Sequence, residues 1–283
     1  MSVALLVLLS VAIAGTITFT VFALAWRSEL RQLVTQMATD IAQRPRAMGR
    51  FFTEQVTQLP DPVQRYFAFA LSRGQPLVLA AHVTSHGEFR LRAEGGWHPF
   101  TATQHYSASP PAFVWDAEIE MAPLTRVHVR DRYFHGEGAI VARIDSVIPV
   151  VDKRDTPELA SGELLRYLAE AVVMPTALLP SSGVRWSAVD GNTARATLSD
   201  RGTTVSAIFH FGTRGEIVRV STHRQRDVGS RSELTPWVGQ FRDYRSVQGM
   251  MVPMVGEVAW LVNGGVMSYF RGETTNITFE LAA

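Results

Sequence analysis

The stretch FVWDAEIEM, residues 113–121, puts Phe113, Trp115, Ala117, Ile119 and Met121 on one side of an extended chain and Val114, Asp116, Glu118 and Glu120 on the other. A period of two is the signature of a strand with one buried face. The same period recurs in FRLRAEG (Phe89, Leu91, Ala93), TARATL (Ala194, Ala196, Leu198) and TVSAIFHF (Val205, Ala207, Phe209, Phe211). Turn-forming residues separate such runs: Asp190-Gly191, Asp200-Arg201-Gly202, Thr213-Arg214-Gly215 and Asn263-Gly264-Gly265 each read as a hairpin connection between antiparallel neighbours. Roughly ten to twelve strands at this spacing fit between Leu77 and Leu281. The predicted class is mainly β (α+β): a curved antiparallel sheet or incomplete barrel over residues 76–283, with a covering helix.

That helix is announced by SGELLRYLAEAVVMPTALLP, residues 161–180. Thr156-Pro157 supplies a cap and a first-turn proline, and Met174-Pro175 supplies the stop, which predicts a helix over 157–174. Leu164, Leu165, Leu168, Ala171 and Val172 make its apolar face, and Glu163, Arg166 and Glu170 fall on the opposite side. Two readings stay open. In one the helix packs on the core and the three charges form a solvated face; in the other it is a lid over an apolar cavity.

Val3–Trp26 carries no charge, and about 20 apolar residues cross a bilayer core. Ala12-Ile13-Ala14 offers a small-x-small cleavage site, but the basic region of a signal peptide is missing and the hydrophobicity runs on, so residues 1–26 read as an uncleaved anchor. The nearest arginines, Arg27, Arg31 and Arg44, lie on the C-terminal side, where the positive-inside rule would keep the large domain cytoplasmic. A long translocated domain can override that rule, and both orientations stay open. Leu30, Leu33, Val34, Met37 and Ile41 continue at helical spacing as an amphipathic stalk, broken at Pro45. Asp61-Pro62 then opens a second helix whose stripe is Val63, Tyr66, Phe67, Ala70 and Leu71, so residues 27–75 read as stalk plus docking helix.

Composition excludes several chemistries. The net charge of +1 removes the electrostatic case for nucleic acid. Without cysteine there is no disulfide, thiolate metal site or lipid-modified cysteine. Lys153, in VVDKRD, is the only lysine and has no glycine-rich loop before it. Neither GxSxG nor HExxH occurs, and Gly136-Glu137-Gly138 follows Tyr133-Phe134-His135 in a hairpin context. His82 and His86 on one extended strand stand about 13 Å apart, too far to share a metal. No catalytic residue, metal ligand or cofactor is expected.

The acidic row Asp116, Glu118 and Glu120 reads as a solvent face, with a polar cavity wall as the alternative. In FRDYRSV, Asp243 and Arg245 share a face with Phe241 and Val247, which predicts an ion pair among apolar neighbours. Aromatic residues recur along the strands, as they do in sites for apolar ligands. The candidate ligand-binding residues are Trp115, Tyr133, Arg166, Tyr167, Leu168, Trp237, Tyr244 and Arg245.

LPDPVQRYF (59–67), the WHPFTA turn (97–102), PAFVWDAEIEM, GELLRYLAEAVVMPTALLP and PWVGQFRDYRSVQGMMVP (236–253) together resemble an uncharacterised bacterial family of membrane-anchored proteins. FRDYRSVQGMMVP and the central helix are more distantly similar to the lipoprotein-carrier (LolA-like) superfamily, incomplete barrels covered by helices around a cavity for acyl chains. Carriers of that type are soluble or lipid-anchored, whereas this chain has a hydrophobic N-terminal span and no cysteine, which departs from a shuttling role. The anchor and the two resemblances together imply a single-pass protein of the bacterial inner membrane whose domain binds a lipid or other apolar ligand. The competing expectations are a structural or protein-interaction module with a filled core, and an unrecognised hydrolase.

Overall fold

The computed structural model describes residues 2–43, 49–91, 94–228 and 231–283. One helix, α1 (Val3–Gln43), runs through the apolar segment and the stalk without interruption. Its N-terminal part is long and apolar enough to cross a membrane and is not buried against the rest of the molecule. The expected break at Pro45, with Arg44, lies outside the described residues. A second helix, α2 (Asp61–Ala70), buries Val63, Tyr66, Phe67 and Ala70, the predicted stripe.

Thirteen strands follow: β1 (Val78–Phe89), β2 (His98–Ser107), β3 (Ala112–Ala122), β4 (Thr125–Phe134), β5 (Glu137–Ile144), β6 (Ile148–Arg154), β7 (Arg185–Ala188), β8 (Thr193–Asp200), β9 (Thr203–Phe211), β10 (Ile217–Val228), β11 (Arg231–Val247), β12 (Met250–Val262) and β13 (Gly265–Leu281). A third helix, α3 (Pro157–Glu170), and short 3-10 turns separate β6 from β7. All thirteen strands form one antiparallel sheet in the order β6-β5-β4-β3-β2-β1-β13-β12-β11-β10-β9-β8-β7. The chain thus builds one half by meander, crosses over through α3, builds the other half, and closes the middle by pairing β1 with β13. The four glycine turns named above are all hairpin connections.

Three local expectations differ from the structure. The segment WHPFTA does not turn, because His98 already pairs with Phe89 as the start of β2. The alternation of FRLRAEG stops at Phe89; Leu91 is outside the strand and Ala93 outside the described residues. The extra strand is β6, an edge strand exposed at nearly every position, so it shows no alternation by which a sequence could reveal it.

The inner, concave face carries the core. Phe113, Trp115, Ala117 and Ile119 are buried there, in one cluster with α2, α3 and the inward residues of β8 to β10. The outer face receives the stalk: Met37 of α1 packs with Ala112, Val114 and Phe134, with Leu30 and Leu33 beside them. Arg130 on β4 ties the two together. It donates to the Asp116 carboxylate (2.7 Å), to Glu29 (3.1 Å) and to the Trp26 carbonyl (3.1 Å), with its guanidinium 4.1 Å from the Trp26 ring centre. Asp40 meets His135 at 2.6 Å further along. Asp116 is therefore covered by the stalk, whereas Glu120 is exposed and Glu118 half-buried, as a solvent-facing row requires.

Candidate functional site

Helix α3 lies across the concave face and touches strands from both halves of the sheet, β3, β4 and β5 on one side and β9 and β10 on the other. Its start follows the capping rule: the Thr156 hydroxyl accepts from the Leu159 amide at 3.2 Å, and Pro157 occupies the first turn. Helical geometry ends at Glu170, and Ala171–Val173 tighten into a 3-10 turn. The approach to β5 requires glycine at 138, where a Cβ would stand 2.6 Å from the Leu159 carbonyl oxygen.

Beneath α3 the space is filled. Leu164, Leu168 and Ala169 have no exposed surface, and Tyr167 donates to the Ala108 carbonyl at 3.0 Å. Tyr133, also fully buried, donates to Asp200 at 2.8 Å, joining β4 to the end of β8. Tyr133, Tyr167 and Leu168 thus stand in packed surroundings.

The charged side of α3 does not face solvent. Glu163 is 2% exposed, and Arg166 contacts the Asp131 carboxylate of β4 at 2.6 Å and Glu170 at 2.7 Å. Its guanidinium lies over Phe113 (5.0 Å) and Trp115 (5.1 Å). Glu170 also accepts from Gln104 and the Tyr106 hydroxyl, both at 2.8 Å. Arg224 of β10 stands 3.6 Å from Glu163, donates to the Gly162 carbonyl and covers Trp237 at 5.4 Å. The expected solvated face is therefore a buried cluster of three carboxylates and two guanidinium groups. A helix wedged between two halves of one sheet is covered on more than one side, and its charges find partners on both.

Burial, reinforced by the neighbouring Asp131 carboxylate, raises Glu163 from 4.5 to about 7. Folding therefore binds a proton between those values, and this group's contribution to stability falls as pH rises through the window. Glu163→Gln should accordingly melt level with the native chain at about pH 4.5 and several degrees above it at about pH 8, in thermal unfolding of the full chain in detergent. A lower melting temperature at pH 8 would mean that ionised Glu163 is a net stabilising partner of the two arginines.

Beyond α3 the inner face continues as an aromatic trough, a row of half-buried rings packed on the core. Phe89 of β1, Trp260 of β12, and Tyr269 and Phe270 of β13 are half-buried and pack against the core. Phe270 stacks on Phe100 at 5.1 Å and meets Trp115 edge-on at 6.4 Å; Tyr269 stacks on Trp260 at 5.9 Å and accepts from the Trp237 indole at 2.9 Å. Glycine at 272 permits this, since a Cβ there would stand 2.7 Å from the Phe270 ring. The buried ion cluster forms the inner end of the trough, with Trp115 and Trp237 between the two.

Of the sequence-selected residues, the structure brings together Trp115, Arg166 and Trp237. Tyr244 lies elsewhere: its hydroxyl donates to the Ile217 carbonyl at 2.7 Å, and its ring meets Phe69 of α2. Arg245 and Asp243 do pair, at 2.7 Å, but their side chains are 59% and 44% exposed, not set among apolar neighbours. The backbone is locally distorted there: Asp243 has φ of +57°, and the pairing of β11 with β12 is interrupted between Arg242–Val255 and Tyr244–Pro253 while the register on either side stays the same. Asp131, Gln104, Tyr106 and Arg224 were missed. All four carried the alternation signal, Gln104 and Tyr106 on the side of the buried Phe100 and Ala102, Asp131 on that of Tyr133, and Arg224 on that of Val220.

On the outer face His82 and His105 stand directly opposite each other, ring centres 4.6 Å apart. Burial and the neighbouring His82 lower His105 to about 4. Among the described residues no group of three potential metal ligands occurs.

Residues 57–279 match the model of a family of unknown function, DUF6920. The chain belongs to this family. No curated protein matches the sequence. Similar solved structures include a domain described as an outer membrane lipoprotein-sorting protein domain from Vibrio parahaemolyticus, 8% identical over 71% of this chain and 85% of that one, with a TM-score of 0.41. A DUF1329 family protein from Desulfovibrio piger is 9% identical over 73% and 88%, with a TM-score of 0.40. A β-barrel-like DUF1849 protein from Brucella abortus is 10% identical over 72% and 99%, with a TM-score of 0.28. The DUF6920 match begins just before α2 and ends within β13, so α1 falls outside it and the trough inside it.

Proposed function

We propose that this DUF6920 chain is a membrane-anchored, non-enzymatic domain that holds a lipid acyl chain, or another apolar molecule, along the aromatic trough. The observation that carries this reading is the row of half-buried rings, Phe89, Trp260, Tyr269 and Phe270, that continues the inner face beside α3. Large aromatic surfaces normally finish buried, and a concave run of them beside a few polar groups suits an apolar ligand with a polar end. Arg166, Glu170 and Arg224 supply that polar end. The ligand lies beside α3 and not beneath it, because the underside of the helix is occupied by Leu164 and Leu168. In this reading α1 spans the membrane and keeps the trough next to a supply of lipid.

Full-length protein in lipid nanodiscs containing a phospholipid with a photoactivatable acyl chain tests the assignment. Cross-links are expected on peptides of β12 and β13 as well as on α1, and Phe270→Ala should reduce the β12 and β13 signal several-fold. Labelling confined to α1 would overturn the ligand reading. That result would favour a protein-interaction module with a filled core, a reading supported by the close packing under α3.

A further inference from the structure

We propose that the hairpin tips at one end of the sheet dock on the bilayer that α1 crosses. This rests on α1 being a membrane span, and not on occupancy of the trough. Antiparallel pairing brings the β1–β2, β3–β4, β5–β6, β10–β11 and β12–β13 connections to one end of neighbouring strands. These tips carry Leu91, Leu124, Ile148, Leu234, Leu261 and Val266, exposed by 39% to 95%. At the opposite end the β2–β3, β4–β5, β9–β10 and β11–β12 connections carry no exposed large apolar side chain among the described residues and β7–β8 carries one, Val189; at the first end only the β8–β9 tip carries none. The β3–β4 tip is the extreme case. Leu124 is 95% exposed and sits at φ +67°, a backbone state that favours glycine or asparagine and that a free surface gives no reason to fill with leucine.

Helix α1 identifies what covers this end. It runs along β4: Asp40 meets His135, Glu29 meets Arg130, and Trp26 meets His128. Its apolar half therefore leaves the domain past the β3–β4 tip, where Phe19 and Trp26 border a cleft of about 670 Å³ with His86, Thr101, Glu118 and Arg126. From His128 to the tip at Thr125 is about 10 Å of strand, equal to roughly seven residues of helix, so the tips stand level with about residue 19. The uncharged segment continues past that level to Trp26, so the residues beside the tips belong to the apolar span, which places Leu124 and its neighbours at the membrane surface. The open end of the trough, at Phe89 and Phe270, then faces lipid.

The absence of cysteine makes the test direct. Single cysteines replacing Leu124, Ile148 or Val266 in the full chain, labelled with an environment-sensitive fluorophore, are read in vesicles of phosphatidylethanolamine and phosphatidylglycerol with and without brominated acyl chains. Cysteines replacing Ile13, Phe52 and Val189 are the references. Quenching of about two-fold or more is expected at 13, 124, 148 and 266, with none at 52 and 189, since brominated chains quench only probes within the bilayer. Leu124→Asp with Val266→Asp should abolish quenching at 148 while leaving circular dichroism unchanged. Quenching at 13 alone would overturn docking and leave the anchor; none at 13 would overturn both. Loss of trough cross-linking with the tips still quenched would remove the ligand reading and leave the docking intact.

Discussion

Leu168→Asp is expected to abolish the native state of the β domain. Leu168 has no exposed surface and lies at the centre of the α3 face that closes the sheet, among the same core residues as Leu164, Phe113 and Phe209. An aspartate there either stays charged without a partner or takes up a proton without a hydrogen bond, and both cost several kcal/mol. The lost apolar contact adds about 2–5 kcal/mol, the range for truncating a buried leucine to alanine. Together these approach the roughly 5–15 kcal/mol by which a whole domain is stable. Near-ultraviolet circular dichroism and limited proteolysis of the full chain in detergent should show lost tertiary signal and rapid degradation after α1. A variant with a native spectrum and unchanged melting temperature would mean that the space under α3 can open, which is the lidded-cavity arrangement.

Arg130→Met has the second largest expected effect, directed at the junction of α1 with the sheet. The Arg130 side chain is 3% exposed and meets Asp116, Glu29 and the Trp26 carbonyl at once. Removing one partner of a buried ionic group costs about 3–5 kcal/mol, mostly because the remaining carboxylate is left uncompensated. The loss falls on docking and not on the core, since the inner face is untouched. Amide exchange over Leu30–Gln43 should therefore accelerate about 10²-fold or more while β11 to β13 keep their protection. Asp116→Asn in the same chain should recover part of the loss. Unchanged exchange in α1 would show that Met37, Leu30 and Leu33 hold the stalk alone.

Legibility from sequence followed the range of the interaction. The alternation in FVWDAEIEM assigns Phe113, Trp115 and Ile119 to the core because successive strand side chains must point to opposite faces. The hairpin glycines and the Thr156-Pro157 cap were readable for the same reason: each is set by backbone geometry within a few residues. Where a feature has no local mark it stayed hidden. Strand β6 is exposed on both faces and shows no pattern. The positive φ of Asp243 turns the Asp243–Arg245 pair out to solvent with the strand register unchanged, and a single backbone angle is not readable from alternation.

For the site, the sequence by itself determined an apolar 24-residue segment fit to cross a membrane, a one-sided antiparallel sheet and a helix interrupting it. It also identified Trp115, Arg166 and Trp237 as candidates. Only the tertiary structure decided that the charges of α3 point into protein, that a row of half-buried rings continues the inner face beside α3, and that Leu124, Ile148 and Val266 share the end from which α1 departs. The reason is the same in each case. Glu163 and Arg166 have the same spacing whether water or Asp131 and Arg224 lie opposite, and those partners are brought there by strand pairings that span the chain.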